Sequence, residues 1–253
     1  MRTLGPAWAD MPATRVRGLS NYRLKIVGLL FVMLSALSTA VVSKGMPTDL
    51  AQASMAQMTA TVLLEAVSWM AYPVYAWLLY SGFIHTRSVR RYGLRLLVLA
   101  VVSEVPYDLA TFGRPWDLRS QNPVFALVVA LVVLAALRLL RERRSPGWGA
   151  LSVLVCIAAA AWLMFFNVGL RLGVLPGGIV MLAFALVFFY FHRRENTMMG
   201  IGALLGAVAV LFPALGLGFV HFRNETLGPD RKYFFYVAYP IVLLAIGLFG
   251  LTF

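Results

Sequence analysis

The chain has 253 residues, 61% of them hydrophobic and 13% charged. Soluble domains carry about 25% charged residues, so this composition indicates an integral membrane protein. The net charge of +12 suggests a nucleic-acid partner at first sight, and the single cysteine, Cys156, excludes an intrachain disulfide and argues against redox chemistry.

The polar start, residues 1–23, lacks a small-residue cleavage site after its first apolar run, so that run reads as a retained first helix. A bilayer-spanning helix needs roughly 19 to 20 apolar residues. Eight segments meet that requirement: 24–43, 60–84, 92–112, 123–140, 148–166, 174–191, 198–220 and 233–253. The sixth opens irregularly at Pro176, Gly177 and Gly178, and Pro213 predicts a kink in the seventh. Aromatic residues gather at span ends, such as Trp69 to Tyr80 and Tyr233 to Tyr239, as an interfacial belt does. The expected architecture is all-α: one polytopic bundle of about eight transmembrane helices, a single domain over residues 1–253.

Orientation follows from Lys and Arg. The N-terminal segment and the loops after the second, fourth and sixth spans hold most of the 22 basic residues. That side is read as cytoplasmic, with both termini inside. The positive charge is therefore membrane topology with attraction to anionic lipid, and a nucleic-acid partner loses its support.

Polar residues inside the spans are the candidates for chemistry. Glu104 and Asp108 lie four residues apart on one helical face, with Pro106 between them. Counting about 1.5 Å per residue from Tyr92 puts Glu104 roughly 18 Å across the hydrocarbon. Intramembrane acids are costly and serve proton transfer or ion pairing; here the pairing alternative is Arg114 or Arg119. Glu65 faces either the same cavity or the interface. His85 beside Arg87, Arg90, Arg91 and Arg95 suits a base next to a phosphate-bearing donor, although the arginines also serve topology. His192 reads as an interfacial anchor and His221 as an outer-surface residue. Ser35, Ser38, Thr39 and Ser43 read as a helix-packing seam. No phosphate loop, metal-ligand cluster or nucleophile elbow occurs.

GFIHTRSVRRYGLRLL, SEVPYDL and QNPVFAL, then RKYFFYVAYP near the end, resemble the motifs of the TraX family of polytopic membrane proteins. The resemblance is ordered along most of the chain and includes LKIVGLLFVML at its start. It implies acyl transfer at a membrane, with acetyl-CoA as co-substrate and no metal. It also implies a bacterial inner-membrane location and a membrane-associated protein, such as a pilin, or a glycan as acceptor. Carried over, the family motifs fall on Gly82, Phe83, His85, Thr86 and Arg87; on Tyr92 and Arg95; on Ser103, Glu104, Pro106 and Asp108; and on Gln121 and Asn122. The implied catalytic set is His85, Glu104 and Asp108, with Arg87, Arg90, Arg91 and Arg95 binding the donor. Gln121, Asn122, Arg119, Lys232 and Tyr239 are the implied substrate-binding set. Four family positions depart: Ala36 and Leu37 replace an Asp-His pair, Trp69 an Arg, and Val242 a His. A non-catalytic scaffold subunit and a proton-coupled transporter using Glu104 and Asp108 are the alternatives.

Overall fold

The computed structural model describes residues 17–43, 54–143, 147–170, 176–209, 211–229, 231 and 233–252. Among them are ten α-helices: α1 (Asn21–Leu37), α2 (Met55–Ser68), α3 (Ala71–His85), α4 (Val89–Phe112), α5 (Val124–Arg143), α6 (Trp148–Phe165), α7 (Gly177–Phe191), α8 (Glu195–Val208), α9 (Phe212–His221) and α10 (Phe234–Gly250). A π-helical turn, Ser38–Ser43, continues α1.

Local signals start and stop these helices. The Ser20, Ser54 and Ser88 hydroxyls accept the amides of Arg23, Gln57 and Arg91, capping α1, α2 and α4. α4 stops at Gly113, whose φ of 70° closes the helix in the left-handed conformation. Asn122 Oδ1 accepts the Val124 amide at 3.1 Å and begins α5.

Among the described residues, four helical stretches are long and apolar enough to cross a membrane: Asn21–Val42, Met55–His85, Val124–Arg143 and Trp148–Phe165. The second is α2 and α3 joined through Trp69 and Met70. α4 has 24 residues, but its arginines, Glu104 and Asp108 make it more polar than these. The main core lies among α3, α5 and α7 around Trp77, Phe83, Leu134, Phe184 and Phe188. A smaller one joins α1, α4, α5 and α10 through Ala36, Ala100, Tyr107, Val124, Tyr239 and Leu243. Gly247 brings α10 against the α4 backbone at Ala110, where a methyl would not fit. α6 leaves most of its apolar surface outside the bundle.

The seventh predicted span, 198–220, is a correction. It does not cross the bundle, because α8 and α9 are the two arms of a hairpin. Gly206 sits so close to the Ala214 backbone that a side chain would collide with it, and Leu217 packs over Gly202. Leu211 takes a φ of 69° in the turn between the arms. The hairpin closes at its open end, where Arg223 Nη1 donates to Glu195 Oε1 at 3.4 Å and His221 Nδ1 lies 3.6 Å from the same oxygen. Apolar composition alone cannot separate a crossing from a fold-back.

The fold-back moves residues 222–229 and Arg231 to the arginine-rich end. There Leu19 and Arg223 form a β-bridge, and the Asn21 amide donates to the Thr226 carbonyl at 2.8 Å. Arg223, Arg231 and His221, expected on the opposite side, therefore share the end that carries His85 and the loop arginines. α10 then starts at this end and finishes with Gly250 against Ala40 at the other. The first and last described helices thus begin at the same end. The expectation of both termini on one side does not follow from this path.

Candidate functional site

The antiparallel run of α1 against α2 and α3 builds one wall of a cavity of about 490 Å³. Three contacts fix its register. Asn21 Nδ2 donates to Ser81 Oγ at 2.9 Å, the Tyr75 ring lies against Gly28, and Ser35 Oγ donates to Glu65 Oε2 at 2.7 Å. α4, α5, α10, Met181 of α7, and Leu227, Gly228, Pro229 and Arg231 also line it. His85, Leu227, Pro229 and Arg231 at one end are exposed, whereas Ser35, Ser68 and Tyr239 are buried. The cavity therefore opens at the arginine-rich end and reaches inward from Asn21 to Ser35, about 21 Å at the helical rise.

His85 stands at the mouth, where Ser81, one turn earlier on α3, positions its ring. The Ser81 carbonyl lies 2.7 Å from Nδ1. A carbonyl only accepts, so Nδ1 carries the proton and Nε2 of the neutral ring is left as the base, a tautomer inferred from this contact. Among the described residues, Lys25 and Arg231 are the Lys and Arg side chains in the lining. Arg87, Arg90, Arg91 and Arg95 are exposed and lie outside the lining, although Arg95 sits over the ring of Tyr92, which does line the mouth. Lys232 lies outside the described residues.

Glu104 and Asp108 do share a face of α4, but neither lines the cavity. Both hold the 113–123 loop: Glu104 Oε2 accepts the Asn122 amide at 3.1 Å, and Asp108 Oδ2 accepts the Asp117 amide at 2.9 Å. The expected ion pair of either acid with Arg114 or Arg119 is not made among the described contacts. Arg119 instead forks onto its near neighbour Asp117, with Nη2 to Oδ2 at 2.8 Å, and its guanidinium covers the Phe112 ring. The hydrogen bonds from Arg119 hold the Asp117 carboxyl down at about 2 and push the Arg119 guanidinium up. Short sequence separation wins, since two residues bring that pair together without ordering a longer loop.

The substrate-binding set is divided by the structure. Tyr239 lines the cavity and its hydroxyl donates to Asn122 Oδ1 at 2.8 Å, so Asn122 stands directly behind it. Gln121 accepts the Gly169 amide through its backbone carbonyl, and Arg119 is an exposed loop residue. Asn122 Nδ2 and Asp108 Oδ1 are buried without a hydrogen-bond partner among the described residues.

Sequence reading missed the Ser35 and Glu65 contact. Glu65 is neither interfacial nor aimed at Glu104; it is 3% exposed and bound to α1. Ser38 and Thr39 do form the expected seam, donating to the carbonyls of Thr61 and Ala110. Ser35, three residues earlier, turns to the cavity instead. Periodicity marked the seam but gave no register between α1 and α2. Of the departing family positions, Ala36 is fully buried in the smaller apolar core, and Trp69 packs edge-on against Tyr72 with ring centroids 5.3 Å apart.

The apolar helices make this a multi-pass membrane protein. No curated protein and no solved structure matches the chain. A family model described as TraX protein matches residues 20–250, nearly its whole length, and the chain belongs to the TraX family.

Proposed function

We propose that the protein is a membrane acyltransferase that takes an acyl-CoA, acetyl-CoA in the simplest case, from the arginine-rich side. One observation carries this reading: a narrow cavity opens beside His85, Lys25 and Arg231 and runs about 21 Å inward. Its rim offers two cations to the phosphates of the donor, and its tyrosine-rich walls suit an extended pantetheine arm. The four arginines from Arg87 to Arg95 widen that positive rim and add long-range attraction for an anionic donor. His85 Nε2 is placed to meet the donor at the mouth. Glu104 and Asp108 act as positioning residues that hold the 113–123 loop and, through Asn122, the Tyr239 hydroxyl.

In this reading the arginine-rich end faces the cytoplasm of a bacterium, in the inner membrane, where the positive-inside rule and anionic lipid both favour it. The acceptor is a membrane-associated protein or glycan. A second reading, a catalytically silent scaffold subunit, is favoured by Ala36, Leu37, Trp69 and Val242, which put apolar side chains where the family pattern has ionisable ones.

Calorimetric titration of the purified protein with acetyl-CoA separates the two. The acyltransferase reading expects saturable binding that weakens in Lys25→Ala and Arg231→Ala, together with slow release of free CoA. A scaffold shows no heat of binding, and that result removes the acyltransferase reading.

A further inference from the structure

We infer that Ser35 is the nucleophile of this acyl transfer and Glu65 its base, which places the chemistry at the inner end of the cavity. The inference rests on the acyltransferase reading and adds a covalent step to it. Three observations carry it. Ser35 lines the cavity, Glu65 does not, and the Ser35 hydroxyl donates to the buried Glu65 carboxylate at 2.7 Å. A hydroxyl held by a carboxylate that can take its proton is the arrangement nucleophilic catalysis requires.

Distance excludes the alternatives. His85 lies a turn beyond Ser81, and Ser81 pairs with Asn21, so His85 and Ser35 are separated by roughly the whole 21 Å depth. His85 cannot act on a group at the cavity floor. Glu104 is committed to the Asn122 amide outside the lining. A donor whose phosphates rest at Lys25 and Arg231 extends its pantetheine arm inward, so its thioester meets Ser35 and leaves His85 near the phosphates. Register locks the pair in place, because Ser38 and Thr39, in the π-helical turn that continues α1, tie it to α2 and α4. The Ser68 hydroxyl donates to the Glu65 carbonyl at 2.6 Å and fixes the α2 end.

The step balances as follows. Ser35 Oγ attacks the thioester carbonyl and gives its proton to Glu65. The C–S bond breaks, and the leaving thiolate takes that proton and departs as CoA thiol. Ser35 now carries an acyl ester and Glu65 is again a carboxylate. An acceptor amine or hydroxyl then attacks the ester; its proton passes to Glu65 and on to Ser35 Oγ, which restores the free serine.

The test is acetyl-CoA added to purified protein without acceptor, followed by acid quench and peptide mass spectrometry. The expected result is one acetyl group on the peptide containing Ser35, formed with a matching burst of free CoA. In Ser35→Ala the adduct and the burst disappear while calorimetric binding of acetyl-CoA is unchanged. Glu65→Gln keeps the hydrogen bond but not the base and slows the burst by about 10²- to 10⁴-fold. Ser35→Cys guards against a folding defect, since its adduct is a thioester that neutral hydroxylamine releases. Acetyl-CoA that binds and turns over at full rate in Ser35→Ala overturns this inference and leaves the acyltransferase reading standing. Failure of the wild-type protein to bind acetyl-CoA overturns both.

Discussion

Arg223 offers the sharpest test of how the fold builds the cavity mouth. Its side chain is 5% exposed and carries four contacts. Nε donates to Glu225 Oε1 at 2.7 Å, Nη1 donates to the Val220 carbonyl at 2.9 Å and to Glu195 at 3.4 Å, and the guanidinium lies 4.1 Å from the Trp77 ring centroid. Arg223→Met keeps the apolar bulk and removes the charge, which takes the guanidinium away from Glu225 and Glu195. Breaking a buried pair costs about 3–5 kcal/mol. Glu195 is 26% exposed and water recovers part of its loss, so about 3 kcal/mol is expected. For a chain of this size that corresponds to a drop in Tm of about 6–12 °C, read by thermal unfolding in detergent. Arg223→Lys retains the charge but not the planar fork or the stacking, and falls by roughly half as much. The Met substitution also loosens residues 222–229, which the Asn21 and Thr226 bond ties to the start of α1. Arg223→Met therefore also weakens acetyl-CoA binding, although Arg223 is not in the cavity lining. If Arg223→Met melts within about 2 °C of wild type, the buried hub does not hold the hairpin closed.

Two further predictions address the path of the chain and the intramembrane acids. In a Cys156→Ala background, single cysteines at Leu227 and Thr252 label from opposite sides of sealed vesicles with an impermeant maleimide, because α10 separates them; labelling from one side refutes the hairpin. Asp108→Leu leaves the Asp117 amide unpaired, costs about 1–3 kcal/mol and opens the 113–121 loop to protease, whereas Asp108→Asn keeps a carbonyl acceptor and costs about 1 kcal/mol. Equal protease resistance in both variants would show that Asp108 does not anchor the loop.

Much of the candidate site was visible as residue types without their relations. His85 is legible because it ends an apolar run inside a dense arginine segment. Glu104 and Asp108 are legible because intramembrane acids stand out. Their partners are not, since backbone amides such as those of Asp117 and Asn122 leave no trace in sequence. Glu65 and Ser35 stand out in the sequence as an intramembrane acid and part of a small-polar stripe, but their contact depends on the register of α1 against α2. The eight-span pattern puts Lys25 and Arg231 on opposite sides, yet they meet in one cavity lining.

The sequence by itself determined that this is a helical membrane protein of the TraX family, with one basic end and helices close to the predicted 92–112, 123–140, 148–166 and 174–191. Composition and caps suffice for that, because burial in lipid and helix termination are local properties. Tertiary structure decided that residues 198–220 turn back, and hence that Arg223 and Arg231 join the basic end and α10 starts there. Hydropathy measures how strongly a segment prefers an apolar medium and carries no direction. Direction came from contacts between distant residues: Gly206 against Ala214, Glu195 with Arg223, and Leu19 beside Arg223.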